Sequence, residues 1–175
     1  MTDSTDAQHR QQRVDWLCCA YPYMPPGRLL RKVEQEIRSL ERVRGGRRHS
    51  LTVSRDLLEA TGWAHLLRAC LLQDLGRVHP ARVECAVVDS LGRESGQTIL
   101  RHWAREVRIW QTEDAGAWHH AAQLAATAVD RAAPSNIGVQ LLVHDALCSA
   151  RTGDRRRMTT PSTMLRLCSV GWRHR

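Results

Sequence analysis

The chain's most reactive side chains are six cysteines and nine histidines, and their spacing argues against a site built from either. The cysteines stand at 18, 19, 70, 85, 148 and 168. None forms a CxxC pair, and the adjacent Cys18 and Cys19 cannot supply the spaced ligands of a zinc knuckle, so no metal site is expected. Cys70, Cys85, Cys148 and Cys168 sit among Leu, Val and Ala, where a thiol behaves as a small apolar side chain. His119-His120 are neighbours that a helix would point about 100° apart. His144-Asp145 has no nucleophile on a recognisable elbow. His65 has no second ligand at useful spacing and reads as a satisfied histidine. GxGxxG, GxxxxGKS/T, GxSxG and HExxH are all absent, as are carboxylates paired for acid–base work. The chain therefore reads as a non-enzyme that needs no cofactor.

Arginine is what remains. Of 26 basic residues only Lys32 is lysine, and the formal net charge is +8. A GC-rich coding bias accounts for arginine over lysine, but it does not account for the excess over the acids, which points to an acidic polymer as partner. From Arg28 to Arg48 the sequence reads as an amphipathic helix. Leu29, Leu30, Val33, Ile37 and Leu40 fall within an arc of about 100°, with Arg28, Arg31, Lys32, Arg38 and Arg42 gathered opposite. The charge continues through Arg44 and a Gly45-Gly46 break into Arg47 and Arg48. Glu34 and Arg38 have the spacing of an i,i+4 pair.

A second helix repeats this design: Ile99, Leu100, Trp103, Val107 and Trp110 share a face, and Arg101, Arg105 and Arg108 lie within about 60° of each other on the other side. A third cluster, Arg155, Arg156 and Arg157, falls in a polar loop. A single charge run is ordinarily a solvated face. Two rows set opposite apolar faces, with a loop cluster besides, favour contact with phosphates.

The elements that must carry these residues are helices. MTDSTDAQHRQQR lacks an apolar core, so it is no signal peptide, and residues 1–13 read as a flexible polar N-terminus. Residues 14–175 read as one helical domain. Val14 to Met24 reads as a short helix and an irregular stretch packing Trp16, Tyr21 and Tyr23. The basic helix occupies 27–43. The next helix takes Thr52 or Ser54 as N-cap and Gly76 at C′, with a division allowed at Thr61-Gly62. Pro80 opens a helix that Gly92 closes, with a strand at 82–88 as the alternative. A helix from 95 to 110 follows. Thr112, Glu113 and Asp114 are placed at the start of an Ala-rich helix over 115–132, which Pro134 ends. Ser135 or Asn136 begins another, and a short one follows Thr160-Pro161. The fold expected is an all-α, single-domain bundle of about six to eight helices, with 63–75 and 115–132 central.

In size, charge and all-helical pattern over 26–175 the chain resembles the small subunits of multi-subunit CRISPR effector complexes. That resemblance implies a compact bundle lining a basic path for guide RNA and displaced DNA, with a place in antiviral defence. The expected function is a non-catalytic subunit of a ribonucleoprotein that binds RNA or single-stranded DNA by the backbone, beside other subunits or copies of itself. One alternative is a DNA-binding transcriptional regulator, phage- or plasmid-encoded. Its helix-turn-helix would span 80–91 and 95–110, presenting Gln97 and Thr98, or 137–150 and 161–170. The other is a protein-interaction adaptor using its tryptophans on an acidic partner. No window is long enough to cross a membrane. Unpaired cysteines point to a reducing, cytoplasmic compartment.

Overall fold

The computed structural model describes residues 2–46, 49–129 and 136–154. Seven helices make up the described chain: α1 Thr2–Ala20, α2 Pro26–Gly46, α3 Leu51–Asp74, α4 Val78–Ser95, α5 Thr98–Asp114, α6 Trp118–Val129 and α7 Asn136–Thr152. The all-α bundle expected from helical periodicity is what forms, and 82–88 is helical within α4. The helices gather into two compact units, residues 1–104 and 105–175, with the boundary within α5.

In the first unit α3 lies against α1, α2 and α4. Its Leu57, Ala60, Ala64, Leu71 and Leu72 are buried with Val14 and Leu17 of α1 and with Leu29, Val33 and Leu40 of α2. Truncating a fully buried leucine such as Leu57 or Leu71 to alanine costs about 2–5 kcal/mol. All five apolar positions expected of α2 are buried. Pro26 takes the first helical position, where a missing N–H costs nothing, and the Pro25 carbonyl accepts from Arg28 N and Leu29 N at 3.0 and 3.1 Å. The helix runs through Gly45 and Gly46 instead of stopping before them.

Residues 2–13, expected as a tail, belong to α1. Its inner stripe is sparse, with Ala7, Val14 and Leu17 buried and Arg10 half-buried, so it carries little apolar signal. The helix after it, α3, is capped by Ser50, whose Oγ accepts from Val53 N at 3.3 Å, in place of Thr52 or Ser54. It passes unbroken through Thr61 and Gly62. Its end is a Schellman turn at Gly76, φ 71°, with Arg77 N donating to Leu72 O at 2.8 Å and Gly76 N to Gln73 O at 2.9 Å. α4 does not close at Gly92 but at Gly96, whose φ of 74° suits a residue with no Cβ. Gly92 is instead buried inside the helix, where a Cβ would lie 2.6 Å from Arg101 Cγ and 3.1 Å from the Gln97 carbonyl.

Thr112, Glu113 and Asp114 end α5 rather than open the Ala-rich helix. Ala117 N donates to Thr112 O and Gly116 N to Glu113 O, which closes α5 with a second Schellman turn. In the second unit α6 packs against α7. Ala121, Ala125 and Ala128 are buried on α6 and Ile137, Leu141 and Cys148 on α7, and small alanines permit a close approach. α7 runs from Asn136, one of the two starts read from the sequence; Ser135, the other, lies outside the described residues. Pro134 and the short helix expected after Thr160 lie outside the described residues.

Candidate nucleic-acid interface

Of the expected arginine clusters, the one on α2 is brought together. Arg28, Arg31, Arg38 and Arg42 are all exposed, opposite the buried Leu29, Val33, Ile37 and Leu40. At 1.5 Å per residue the row is about 21 Å long. The acids of the same helix are turned away from it. Glu34 does not pair with Arg38; its Oε1 lies 3.7 Å from the Arg68 guanidinium of α3. Glu36 is 1% exposed and faces α1, where Arg13 Nε donates to it at 2.8 Å and Arg10 lies 3.6 Å away. The reason is angular: Glu34 and Glu36 sit on the two flanks of the buried stripe, within reach of neighbouring helices. Arg28, Arg31, Arg38 and Arg42 consequently have no ion pair among the described residues. Glu41 stays exposed beside the row.

α1 runs antiparallel to α2 in a register fixed by polar contacts. Arg10 donates to Ser39 Oγ at 2.8 Å, Arg13 meets Glu36, and the Lys32 ammonium sits 6.0 Å from the centre of the Trp16 ring. Between the two helices lies a cleft of about 610 Å³ lined by His9, Gln12, Arg13 and Trp16 of α1 and by Lys32 and Gln35 of α2. Trp16, expected to pack inside, is 55% exposed, and Tyr23 is 88% exposed. Tyr21 does pack, with its hydroxyl donating to Asp74 at 2.8 Å. His9, Gln12 and Arg13 of the α1 wall fall in the stretch expected as a polar tail, and Trp16 in one expected to pack. Positions 9, 12, 13 and 16 nonetheless recur at i, i+3, i+4 and i+7, the signature of one helical face.

The remaining candidates separate. Arg44 is half-buried and lies towards the apolar side of α2, out of the row. Arg47, Arg48, Arg155, Arg156 and Arg157 lie outside the described residues. Arg101 is held by Asp89, Nε to Oδ1 at 3.1 Å. Arg105 and Arg108 belong to the second unit, where they line a depression of about 140 Å³ with Leu124, Thr127 and Ala128 of α6. The expected opposition of faces on α5 is not found. Ile99 is 40% exposed, while Ala104 and Ile109, outside the expected apolar face, are buried along with Leu100 and Val107.

Two histidines, His65 and His144, are held by carboxylates. His65 Nδ1 donates to Glu84 Oε2 at 2.6 Å, and Arg68 donates to the other oxygen at 3.0 Å, so the histidine is satisfied as expected. His144 is more unusual. Its Nε2 meets Glu106 at 3.1 Å and its Nδ1 meets Glu113 at 2.9 Å, both carboxylates coming from α5. The Glu106 hydrogen bond chiefly raises the imidazole pKa to about 9; burial opposes it, and Glu113 adds to it. Cys148, one turn along α7, donates from Sγ to Glu113 Oε1 at 3.1 Å. Burial first, and then the Glu113 hydrogen bond and charge, push this thiol up to about 12, so it stays protonated and is a poor nucleophile. The cluster is a clamp around an imidazolium. Burial and the Asp15 charge likewise raise Cys18 to about 11.

The described cysteines are free. Among the described residues no group of three or more His, Cys, Asp or Glu side chains is arranged to hold a metal ion. No described helix is long and apolar enough to cross a membrane. Comparison with protein-family models, with curated proteins and with solved structures finds no match for this chain.

Proposed function

We propose that this protein is a non-catalytic, nucleic-acid-binding helical subunit of a ribonucleoprotein assembly, and that the outer face of α2 grips phosphates without reading sequence. The observation that carries this reading is the fate of the acids on α2. Glu34 and Glu36 are drawn off to Arg68, Arg10 and Arg13, which leaves Arg28, Arg31, Arg38 and Arg42 as an exposed row with Lys32 at its edge. A solvated helix in a protein merely rich in arginine would have been expected to keep its i,i+4 partners on the same face. A guide-RNA effector complex, to which the chain's size and charge bear a resemblance, is one assembly with a place for such a subunit.

The regulator reading is less well supported, because Gln97 donates to Glu59 and Arg101 is held by Asp89, which removes side chains that a recognition helix would need at its start. Competition among random single-stranded RNA, random duplex DNA and a pool of genomic fragments, over a salt series, separates the readings. Three to five phosphate contacts give log K against log salt a slope of about −2 to −3.5 on single strands, with no enrichment of any one sequence. Enrichment of a single genomic site would favour the regulator. Absence of binding even at low salt would leave the adaptor.

A further inference from the structure

The arginine row on α2 meets phosphates, which single strands and duplexes both present, so by itself it does not choose between them. The cleft beside it adds a different chemistry. Lys32 and Gln35 belong both to the cleft wall and to the flank of the row, so a strand lying on the arginines passes the cleft mouth. Trp16, the aromatic of α1, stands in that mouth 55% exposed. The Lys32 ammonium lies over one face of its ring at 6.0 Å, so a cation stands beside any nucleotide held at the indole. Arg13 is fixed at Nε by the buried Glu36 while its side chain remains 72% exposed, so its other N–H groups are free to meet a second phosphate. His9, Gln12 and Gln35 supply polar groups around the rim, and a cleft of about 610 Å³ falls within the range that holds ligands of nucleotide size.

We infer that the α1–α2 cleft receives an unpaired base stacked on Trp16, so that the protein prefers single-stranded nucleic acid, RNA or DNA, to duplex. A base inside a duplex is already stacked and must be extruded before it can reach the indole, whereas an unpaired base pays no such cost. The inference rests on the reading of α2 as a backbone-binding face and assigns that face its substrate class.

The test uses the full chain and fluorescence anisotropy with labelled oligonucleotides of equal length: single-stranded RNA, single-stranded DNA and a duplex. The wild type is expected to bind both single strands more tightly than the duplex. Loss of one stacked base lowers affinity by about 5- to 150-fold. Trp16→Ala is therefore expected to weaken both single strands by about fivefold or more, to leave the duplex unchanged and to leave the salt slope unaltered, with Trp16→Phe restoring most of the loss. Far-UV circular dichroism confirms that each variant is folded, which is expected because the indole is more than half exposed. Equal weakening of single strands and duplex, or no weakening of either, overturns the base-stacking cleft while leaving the α2 row in place. If the wild type binds none of the three probes, the backbone-binding reading falls, and the cleft inference falls with it.

Discussion

Arg13 of α1 donates from Nε to the carboxylate of Glu36 on α2 at 2.8 Å, and that carboxylate is 1% exposed. The contact joins the two helices. It also takes a negative charge away from the exposed arginines of α2, so one interaction serves both the fold and the surface field.

Removing both cationic partners should cost more than removing the acid. Arg10→Ala with Arg13→Ala leaves an uncompensated carboxylate in the core, worth about 3–5 kcal/mol of lost stability. Glu36→Gln keeps the shape and most hydrogen-bonding capacity and should cost about 1–2 kcal/mol. Urea titrations of the variants check the order.

The same contact marks where the sequence was legible and where it was not. The apolar stripe of α2 was readable because its five members repeat at helical spacing and all point into one core. α1 was not readable, because its inner stripe is Ala7, Val14 and Leu17 with an arginine among them, and its main anchor is a carboxylate more than twenty residues away. Periodicity reports burial, but it does not report which distant partner an ion finds. Arg101 illustrates the same point: it fits a row on a helical wheel, yet Asp89 of α4 holds it. Gly76 and Gly92 look alike as helix stops. Only the crowding of Gly92 by Arg101 and Gln97 shows that it is needed for close approach and not for a left-handed turn.

Gly92→Ala should destabilise by about 1–3 kcal/mol through overpacking, since the added methyl meets the Gln97 backbone carbonyl as well as Arg101 Cγ. Gly62→Ala should cost less. The nearest atoms to its methyl are all in the Leu100 side chain, the closest at 2.7 Å, with no backbone atom among them, and alanine recovers about 1 kcal/mol of helix propensity. Chemical denaturation midpoints of the two variants give the comparison.

Protonated His144 is stabilised in the folded chain, with its pKa raised from the ordinary 6.5 to about 9. A group raised in this way contributes stability that is fully present below about pH 6.5 and lost as pH rises through 9. Thermal melts between pH 6 and pH 10 should therefore show a decline across that window, and His144→Gln should flatten it.

The central claim is that the exposed row on α2 binds nucleic-acid phosphates. Its most direct test is the affinity of Arg31→Glu/Arg38→Glu/Arg42→Glu for single-stranded RNA over a salt series, with far-UV circular dichroism as the control. The account predicts that binding is lost at physiological salt while helicity is retained. RNA binding with wild-type affinity and wild-type salt slope in that triple variant would contradict it.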